Sequence, residues 1–489
     1  MENKGTRSFS ALIIVMFIAA LVIPAVFSIG PLRLSLYRLL LIIATLPAVV
    51  MLFSGRYGRV RTPDIAVLFL CFWASISMAI VDGVLESIEP IGVYFVETFG
   101  AYALARVSIR DAKQFLFFAK VLFGSVMFLA PFAVYENFTD HTVLLDFFRS
   151  ILGSYPNVPH EMRLGLHRAQ VAFPHQILLG VYANSAVALT YYVVFCRSSF
   201  PVRGATVLAV ILVGFTSLSS GPITSMVAQM MIISWDIAFR SVRQRWWIMF
   251  GLAATAWVAV DVLSNRSPPE VFIAYLALNS GTAYARILIW DYGSQAILNY
   301  PLFGHGLTTH DWERADWMGS SIDMFWIVPA IRYGLLAIVA LGIAFVSVFW
   351  TVVSCRGLDR TERMYRVGYV GALFGFFLAG WTVHFWDQTY VLFVFLLGAG
   401  AWFPDAARRN RRSAMLAAER HPSESGPSEG GQPLPPEPTA YPDVGTVRPA
   451  KSGAAHAGGV AAGADAPHPD ESSTKQTSES KGPRVRTWP

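Results

Sequence analysis

Long apolar runs separated by short polar turns recur through most of the chain. A membrane-spanning helix needs about 20 mainly apolar residues, and about twelve runs approach that length. They lie near residues 9–29, 34–53, 63–82, 88–106, 114–135, 174–196, 203–219, 221–239, 246–264, 324–353, 367–383 and 388–404. The pattern therefore predicts an all-α polytopic membrane protein with about twelve transmembrane helices.

Every second loop along the chain is rich in Arg and Lys, and the short loops between them have few cations. Arg56, Arg59 and Arg61 follow the second run, whereas the next turn, at residues 82–89, has acidic residues and no cation. Arg33, in the first turn, is an exception. Since loops rich in Arg and Lys stay in the cytoplasm, we expect a bacterial inner-membrane protein with both termini in the cytoplasm.

Two loops on the predicted outer side are long, at residues 136–173 and 265–323. Both are rich in Trp, Tyr, His and Arg, which is not the composition of a disordered segment. Helix signals predict one helix from about 268 to 278 and a second from about 283 to 298. Loops of this length are commonly functional, so we look for chemistry there.

Composition indicates the domain organisation. Hydrophobic residues make up 54% of the chain and charged residues 14%, against about 25% charged residues in soluble proteins. We interpret residues 1–404 as one transmembrane domain, with residues 9–29 as an uncleaved first span. Residues 405–489 are rich in Pro, Gly, Ser and Ala, which predicts a disordered cytoplasmic tail.

Several classes of function find no support in the sequence. The net charge of +6 does not indicate a nucleic-acid partner, because the basic residues lie largely in loops between apolar runs and no binding motif is present. Cys71, Cys196 and Cys355 have neither zinc-site nor disulfide-framework spacing. No P-loop is present, so we do not expect coupling to ATP within this chain.

The most distinctive sequence lies between Arg286 and Gly334. It reads Arg286-Ile-Leu-Ile-Trp290, then Pro301-Leu-Phe-Gly-His-Gly306, then Asp311-Trp-Glu-Arg314, then Ser321-Ile-Asp-Met-Phe325, then Arg332-Tyr-Gly-Leu335. Two earlier landmarks are Arg168-Ala-Gln-Val-Ala-Phe-Pro-His175 and Ser217-Leu-Ser-Ser-Gly-Pro222. With these landmarks in this order, residues 90–400 resemble the O-antigen ligase and polymerase family of bacterial membrane proteins.

The resemblance implies a membrane-embedded glycosyltransferase with a GT-C type fold. The donor would be a glycan on undecaprenyl pyrophosphate. The acceptor would be another lipid-linked glycan, for a polymerase of O-antigen or exopolysaccharide, or lipid A core, for a ligase. Other polysaccharide-assembly proteins are possible partners. No cofactor is expected, and the arginines make a metal ion unnecessary without excluding one.

Breaking a sugar–phosphate bond leaves a pyrophosphate whose charge must be stabilised. Arginine does this well, because its guanidinium presents a fixed fork of donors. Four outer arginines are the candidate ligands of the donor pyrophosphate: Arg168, Arg286, Arg314 and Arg332, with Arg163 as a weaker one. The alternative is that these arginines hold lipid headgroups or structural carboxylates.

Glycosyl transfer also needs a base to take the proton of the acceptor hydroxyl. The candidate catalytic residues are His305, His310, Asp311 and Asp323. His175, Trp290, Trp317 and Ser321 are possible supporting residues, and His384 and Asp387 in the last outer loop could join the same pocket or anchor the interface. The family usually has His-Asn-x-aromatic where this chain has Ile322-Asp323-Met324-Phe325, which favours a polymerase over a ligase.

Glu97 is the remaining candidate, because it lies near the middle of a predicted span. A carboxylate in the membrane is costly and often functional. It could pair with an arginine of the donor site or be protonated between helices.

Two other functions of the whole chain stay open. It could be a transporter, such as a flippase of lipid-linked saccharides, since about twelve spans suits that class, or it could be a scaffold of an envelope assembly.

Overall fold

The computed structural model of the chain describes residues 4–30, 32–55, 58–159, 162–265, 268, 270–271, 280–307, 312, 314, 318–319 and 321–420. The structure is mostly helical, at 74%. Within these residues, seven helices are long and apolar enough to cross a membrane: Leu36–Phe53, Thr62–Val81, Ala112–Thr139, Gln176–Val194, Arg245–Leu263, Leu335–Val353 and Asp387–Leu416. The prediction of a helical membrane protein is confirmed at this level.

The elements follow one another along the chain with few breaks. The first half contains α1 (Lys4–Val22), β1 (Val26–Ile29), β2 (Leu32–Ser35), α2 (Leu36–Phe53), α3 (Thr62–Val81), α4 (Val84–Phe95), α5 (Ala101–Ser108), α6 (Ala112–Thr139), α7 (Val143–Ile151) and α8 (Gln176–Leu189). The second half contains α9 (Phe200–Phe215), α10 (Ser220–Ala238), α11 (Arg245–Leu263), α12 (Ser280–Asn299), α13 (Val328–Tyr333), α14 (Leu335–Val353), α15 (Arg360–Ala379), α16 (Asp387–Ala399) and α17 (Trp402–Arg420). Short π-helical segments, Val96–Gly100 and Thr190–Val194, continue α4 and α8.

Each predicted apolar run coincides with helix over most of its length, but the first run ends early. Helix α1 stops at Val22, and β1 and β2 form an antiparallel hairpin in which Val26 pairs with Ser35. The hairpin turns at Gly30, whose φ of +60° suits glycine. Its first strand is bonded to the first outer loop, because the amide of Val26 donates to the carbonyl of Gly153 at 3.1 Å.

Two further boundaries differ from the prediction. The run at 324–353 is broken at Gly334, which has a φ of +82° and lies against the backbone of the turn at residues 301–302. The predicted disordered tail begins as helix, since α17 continues to Arg420; residues 421–489 lie outside the described residues. The helix predicted near 283–298 is present as α12, whereas most of the one predicted near 268–278 lies outside the described residues.

Helices α8 and α16 form the centre of the bundle. Every residue of α8 from Leu178 to Leu189 is buried. Helix α15 packs closely against it through glycines: a Cβ at Gly371 would meet the Cβ of Ala188 at 2.7 Å. Small residues let membrane helices approach closely, so α15 has to present glycine on this face. By contrast, α11 has no buried residue within the described part of the chain.

One end of the bundle is held by a buried ion pair between α3 and α5. The Nε and Nη2 atoms of Arg106 donate to the two carboxylate oxygens of Asp64 at 2.8 and 3.1 Å. The hydroxyl of Tyr102 donates to the same carboxylate at 2.6 Å. The exposed fractions of the Arg106 and Asp64 side chains are 2% and 0%, so removing one partner leaves the other charged in a dry site.

We predict that Arg106→Leu destabilises the bundle by about 3–5 kcal/mol, because the Asp64 carboxylate loses its counter-ion. The measurement is thermal unfolding of the purified protein in detergent. Arg149→Leu is the control, because its pair with Asp146 is 41% and 50% exposed and such pairs contribute less than about 1 kcal/mol. Equal losses of stability in the two variants would contradict the conclusion that the Arg106–Asp64 ion pair stabilises this end of the bundle.

Candidate active site

The candidate site is built around the turn that joins α9 to α10. Helix α9 ends at Phe215 and α10 begins at Ser220. Between them, Leu218 adopts a φ of +45°, which is uncommon outside glycine and costs energy. The turn brings the last carbonyls of α9 and the first amides of α10 together. Because Ser217 and Leu218 are buried, their carbonyls need donors from elsewhere in the chain.

Three arginines converge on this turn. The Nε of Arg168 donates to the carbonyl of Ser217 at 3.1 Å, and the Nη1 of Arg163 donates to the carbonyl of Leu218 at 3.1 Å. From α12, the Nη1 of Arg286 donates to the hydroxyl of Ser220 at 3.4 Å. Arg168 and Arg286 are only 8% and 6% exposed. The two long loops predicted from the sequence therefore place three positive charges beside the start of α10.

The electrostatics of this arginine cluster are set by burial and by one carboxylate. Burial lowers the pKa of Arg286, the nearby Asp323 carboxylate raises it, and Arg163 lowers it. Arginine stays charged in proteins despite such shifts. Three guanidinium groups beside one carboxylate leave an excess of positive charge, and the N-terminus of α10 adds to it. This arrangement suits an anion with several oxygens.

A buried glutamate holds the first loop in place. The two carboxylate oxygens of Glu136, at the end of α6, accept hydrogen bonds from the amides of Gln170 and Val171 at 2.7 and 2.8 Å. Val171 has a φ of +57°, which a β-branched residue adopts only when its surroundings impose it. These contacts fix the backbone two residues from Arg168. Sequence reasoning missed Glu136 because it sits at the boundary of a predicted span.

A second group of side chains surrounds the loop between α15 and α16. His384 stacks on Phe325 and Trp386, with ring centroids 6.3 and 5.8 Å away, and Trp386 contacts His175 at 5.9 Å. Burial, with Arg332 nearby, lowers the pKa of His384 to about 3. Its Nδ1 atom is buried and has no hydrogen-bond partner among the described residues. His384 is therefore a neutral imidazole near neutral pH.

The two groups are joined through the same loop. The amide of Phe325, two residues after Asp323, donates to the carbonyl of Val383 at 3.1 Å. A Cβ added at Gly221, the second residue of α10, would meet the side chains of Thr382 and Val383. The α15–α16 loop thus lies between the arginine cluster and the His384 group, which places both on one face of the bundle.

His305 lies in the turn that its flanking glycines predict. Gly304 and Gly306 have φ values of +63° and +70°. The amide of His305 donates to the carbonyl of Ile331 at 2.8 Å, and that of Gly306 to the carbonyl of Arg332 at 2.9 Å. The imidazole packs on Tyr300 with a centroid distance of 4.6 Å. In this position His305 supports the backbone that carries Arg332.

Glu97 has an ion pair, and its partner is not in the arginine cluster. Its Oε1 accepts from the Nε of Arg38 at 2.5 Å and from the hydroxyl of Tyr37 at 3.1 Å. The Nη2 of Arg38 and the hydroxyl of Tyr37 also donate to the Oδ1 of Asp387, each at 3.1 Å. The sequence left open a pairing of Glu97 with an arginine of the donor site, but the arginine that pairs with it is Arg38 of α2.

The remaining predicted residues are dispersed. The Nε of Arg314 donates to the carbonyl of Met318 at 3.1 Å, and Trp290 packs on Trp381 with centroids 5.8 Å apart. The hydroxyl of Ser321 donates to Asp323 at 2.8 Å. Three predicted residues, His310, Asp311 and Trp317, lie outside the described residues. Within the described part of the chain, no group of three or more His, Cys, Asp or Glu side chains could hold a metal ion.

Comparison of the chain with models of known protein families gave no match. Comparison with curated proteins also gave no match. The relationship to O-antigen ligases and polymerases therefore stays a prediction from the sequence landmarks. What the structure adds is the position of those landmarks. Arg168 and Arg286 come from separate segments and contact the turn of the Ser217–Pro222 landmark, and Asp323 is close enough to Arg286 to affect it electrostatically.

We predict that acid destabilises the protein through His384. Its folded pKa of about 3 is below the ordinary value of about 6.5, so the unfolded chain binds the proton more readily. The contribution of neutral His384 to the free energy of unfolding is fully present above about pH 6.5. It is lost as the pH falls towards about 3, by at most about 1.4 kcal/mol per pH unit.

The measurement is the melting temperature of wild type and His384→Gln at about pH 7.5 and about pH 5. The variant should lose less stability on acidification than wild type does. His141→Gln, which changes an exposed histidine of the first outer loop, should behave like wild type. An identical acid loss in wild type and His384→Gln would show that His384 is not the responsible group.

Proposed function

We propose that this protein transfers a glycan from undecaprenyl pyrophosphate to an acceptor, as a polymerase of O-antigen or exopolysaccharide or as an O-antigen ligase. One observation carries the proposal: Arg163, Arg168 and Arg286 converge on the turn that starts α10, with Asp323 close enough to affect Arg286 electrostatically. A pyrophosphate leaving group needs concentrated positive charge of this kind.

In the proposed reaction, the acceptor hydroxyl attacks the anomeric carbon of the donor sugar. The bond from that carbon to the pyrophosphate oxygen breaks, and the electron pair leaves with undecaprenyl pyrophosphate. Arg168 and Arg286 stabilise the charge that develops on the leaving group. Asp323 accepts the proton of the attacking hydroxyl, and Ser321, which donates to it at 2.8 Å, orients the carboxylate. The arginines supply the positive charge, so the proposal requires no metal ion.

The proposal includes a topology. The chain would cross the bacterial inner membrane twelve times in a GT-C type fold, with the arginine cluster on the periplasmic face and both termini in the cytoplasm. Support comes from the helices that coincide with each predicted apolar run and from the alternation of basic loops. Membrane lipids and other polysaccharide-assembly proteins are the proposed partners.

A transporter of lipid-linked saccharides is the second candidate. The observation that favours it is the cluster of Arg38, Glu97 and Asp387, whose side chains are 20%, 10% and 24% exposed. Glu97 lies within the π-helical segment between α4 and α5. Charged side chains inside membrane proteins often mark transport pathways. This reading gives no role to the arginine cluster, which is why we place it second.

The test is deletion of the gene in its host, followed by gel analysis of surface polysaccharide in strains that carry wild type, Arg286→Gln or Asp323→Asn. Both variants should lower glycan transfer by about 100-fold, since removing one group that stabilises the transition state typically costs that much. Arg149→Gln is the matched control, because it removes an arginine of the first outer loop whose partner is Asp146, and it should complement fully.

The deletion phenotype separates the candidates. Single repeat units on the lipid core indicate a polymerase, and long chains retained on the undecaprenyl carrier indicate a ligase. Repeat units held in the cytoplasmic leaflet would support the transporter. Unchanged polysaccharide in the deletion strain, or full complementation by Arg286→Gln at matched protein level, would overturn the proposed function.

A further inference from the structure

A cavity of about 500 Å³ lies at the opposite end of the helices from the arginine cluster. It is bounded by the start of α6, the turn after the π-helical segment Thr190–Val194, and the start of α15. Helices α6, α8 and α15 each run from this end to the face that carries the arginines. Nothing in the proposed glycan transfer uses this cavity, which we call the basic groove.

Three cations line the basic groove: Lys113, Lys120 and Arg197. The two lysines are seven residues apart on α6, so they project from the same face of the helix. Within the described part of the chain, none of the three side chains forms a salt bridge. Their charges are therefore available to a ligand from outside the chain.

The two acidic residues of the groove already have internal partners. The Oδ1 of Asp359 accepts from the amide of Glu362 at 2.7 Å, and the Oε2 of Glu362 accepts from the amide of Asp359 at 2.9 Å. The side-chain amide of Asn410 also donates to Glu362 at 2.8 Å. These carboxylates stabilise the start of α15 and do not form ion pairs with the lysines.

The position of Lys120 indicates the kind of ligand. It lies eight residues after the start of α6, about 12 Å along the helix axis, and its side chain is exposed. Helix α6 is one of the apolar helices long enough to cross a membrane, and a lysine inside such a helix extends towards a headgroup phosphate or water. Leu116 and Val194, which are both partly exposed, give the same groove an apolar wall.

A groove with a cationic side and an apolar wall matches an amphiphile with a negative headgroup. We propose that the basic groove binds an anionic phospholipid, with its phosphate between Lys113, Lys120 and Arg197 and an acyl chain along Leu116 and Val194. Soluble phosphate shares the headgroup chemistry but would not use the apolar wall. This site is independent of the proposed glycan transfer.

The test is native mass spectrometry of the full-length protein in detergent, titrated with phosphatidylglycerol or phosphatidylcholine. Wild type should retain phosphatidylglycerol in preference to phosphatidylcholine. The triple variant Lys113→Gln, Lys120→Gln, Arg197→Gln should bind phosphatidylglycerol on the order of 100-fold more weakly, about fivefold for each charge removed. The matched control is Arg408→Gln, Arg409→Gln, Arg412→Gln, which removes the same charge from exposed positions of α17 and should bind like wild type.

Three results would overturn the proposal. One is equal retention of the two lipids by wild type, and another is binding by the groove variant within twofold of wild type. The third is displacement of phosphatidylglycerol by inorganic phosphate at equal concentration, which would show a phosphate site and not a lipid site. If the triple variant does not fold, phosphatidylglycerol binding is compared between the single variants Lys120→Gln and Lys120→Arg. The arginine variant should retain the lipid, and the glutamine variant should bind it about fivefold more weakly.

Discussion

The carbonyl groups at the end of α9 organise the face of the bundle that carries the arginine cluster. A helix leaves its last carbonyls without partners inside the helix, and in lipid such groups cannot turn to water. Here the carbonyl of Thr216 accepts from the amide of Ala169 and the side chain of Asn137, and those of Ser217 and Leu218 accept from arginines. The need to satisfy this helix end thus brings positive charge to the start of α10.

The same contacts make the first outer loop a fixed part of the site. Glu136 accepts hydrogen bonds from two amides of this loop. The neighbouring Asn137 donates to the carbonyl of Thr216 at the end of α9. The loop cannot move without breaking hydrogen bonds that are buried, and buried polar groups are costly to leave unpaired. Arg168 is therefore held at a defined position before any ligand arrives, which reduces the cost of binding.

The sequence predicted the positions of the helices well, because apolar runs of membrane length have few alternatives to helix. It also named Arg168, Arg286 and Asp323 as candidate site residues, but it did not predict that Arg168 and Arg286 both contact the turn between α9 and α10. It did not predict the β-hairpin, since residues 9–29 form one apolar run and the hairpin depends on contacts with Gly153. Nor did it predict that Arg38 is the partner of Glu97, a pairing 59 positions apart that only the packing of α2 on the following helices defines.

The absence of buried residues in α11, within the described part of the chain, has a consequence for handling the protein. Beyond its first residue, where Arg245 pairs with Asp236 of α10 at 2.8 Å, such a helix is kept in position by the surrounding bilayer. The central helices, in contrast, are kept in position by one another. Extraction into detergent replaces the solvent that orients α11 and leaves the central helices with the same partners. Structural differences between bilayer and micelle should therefore concentrate in α11.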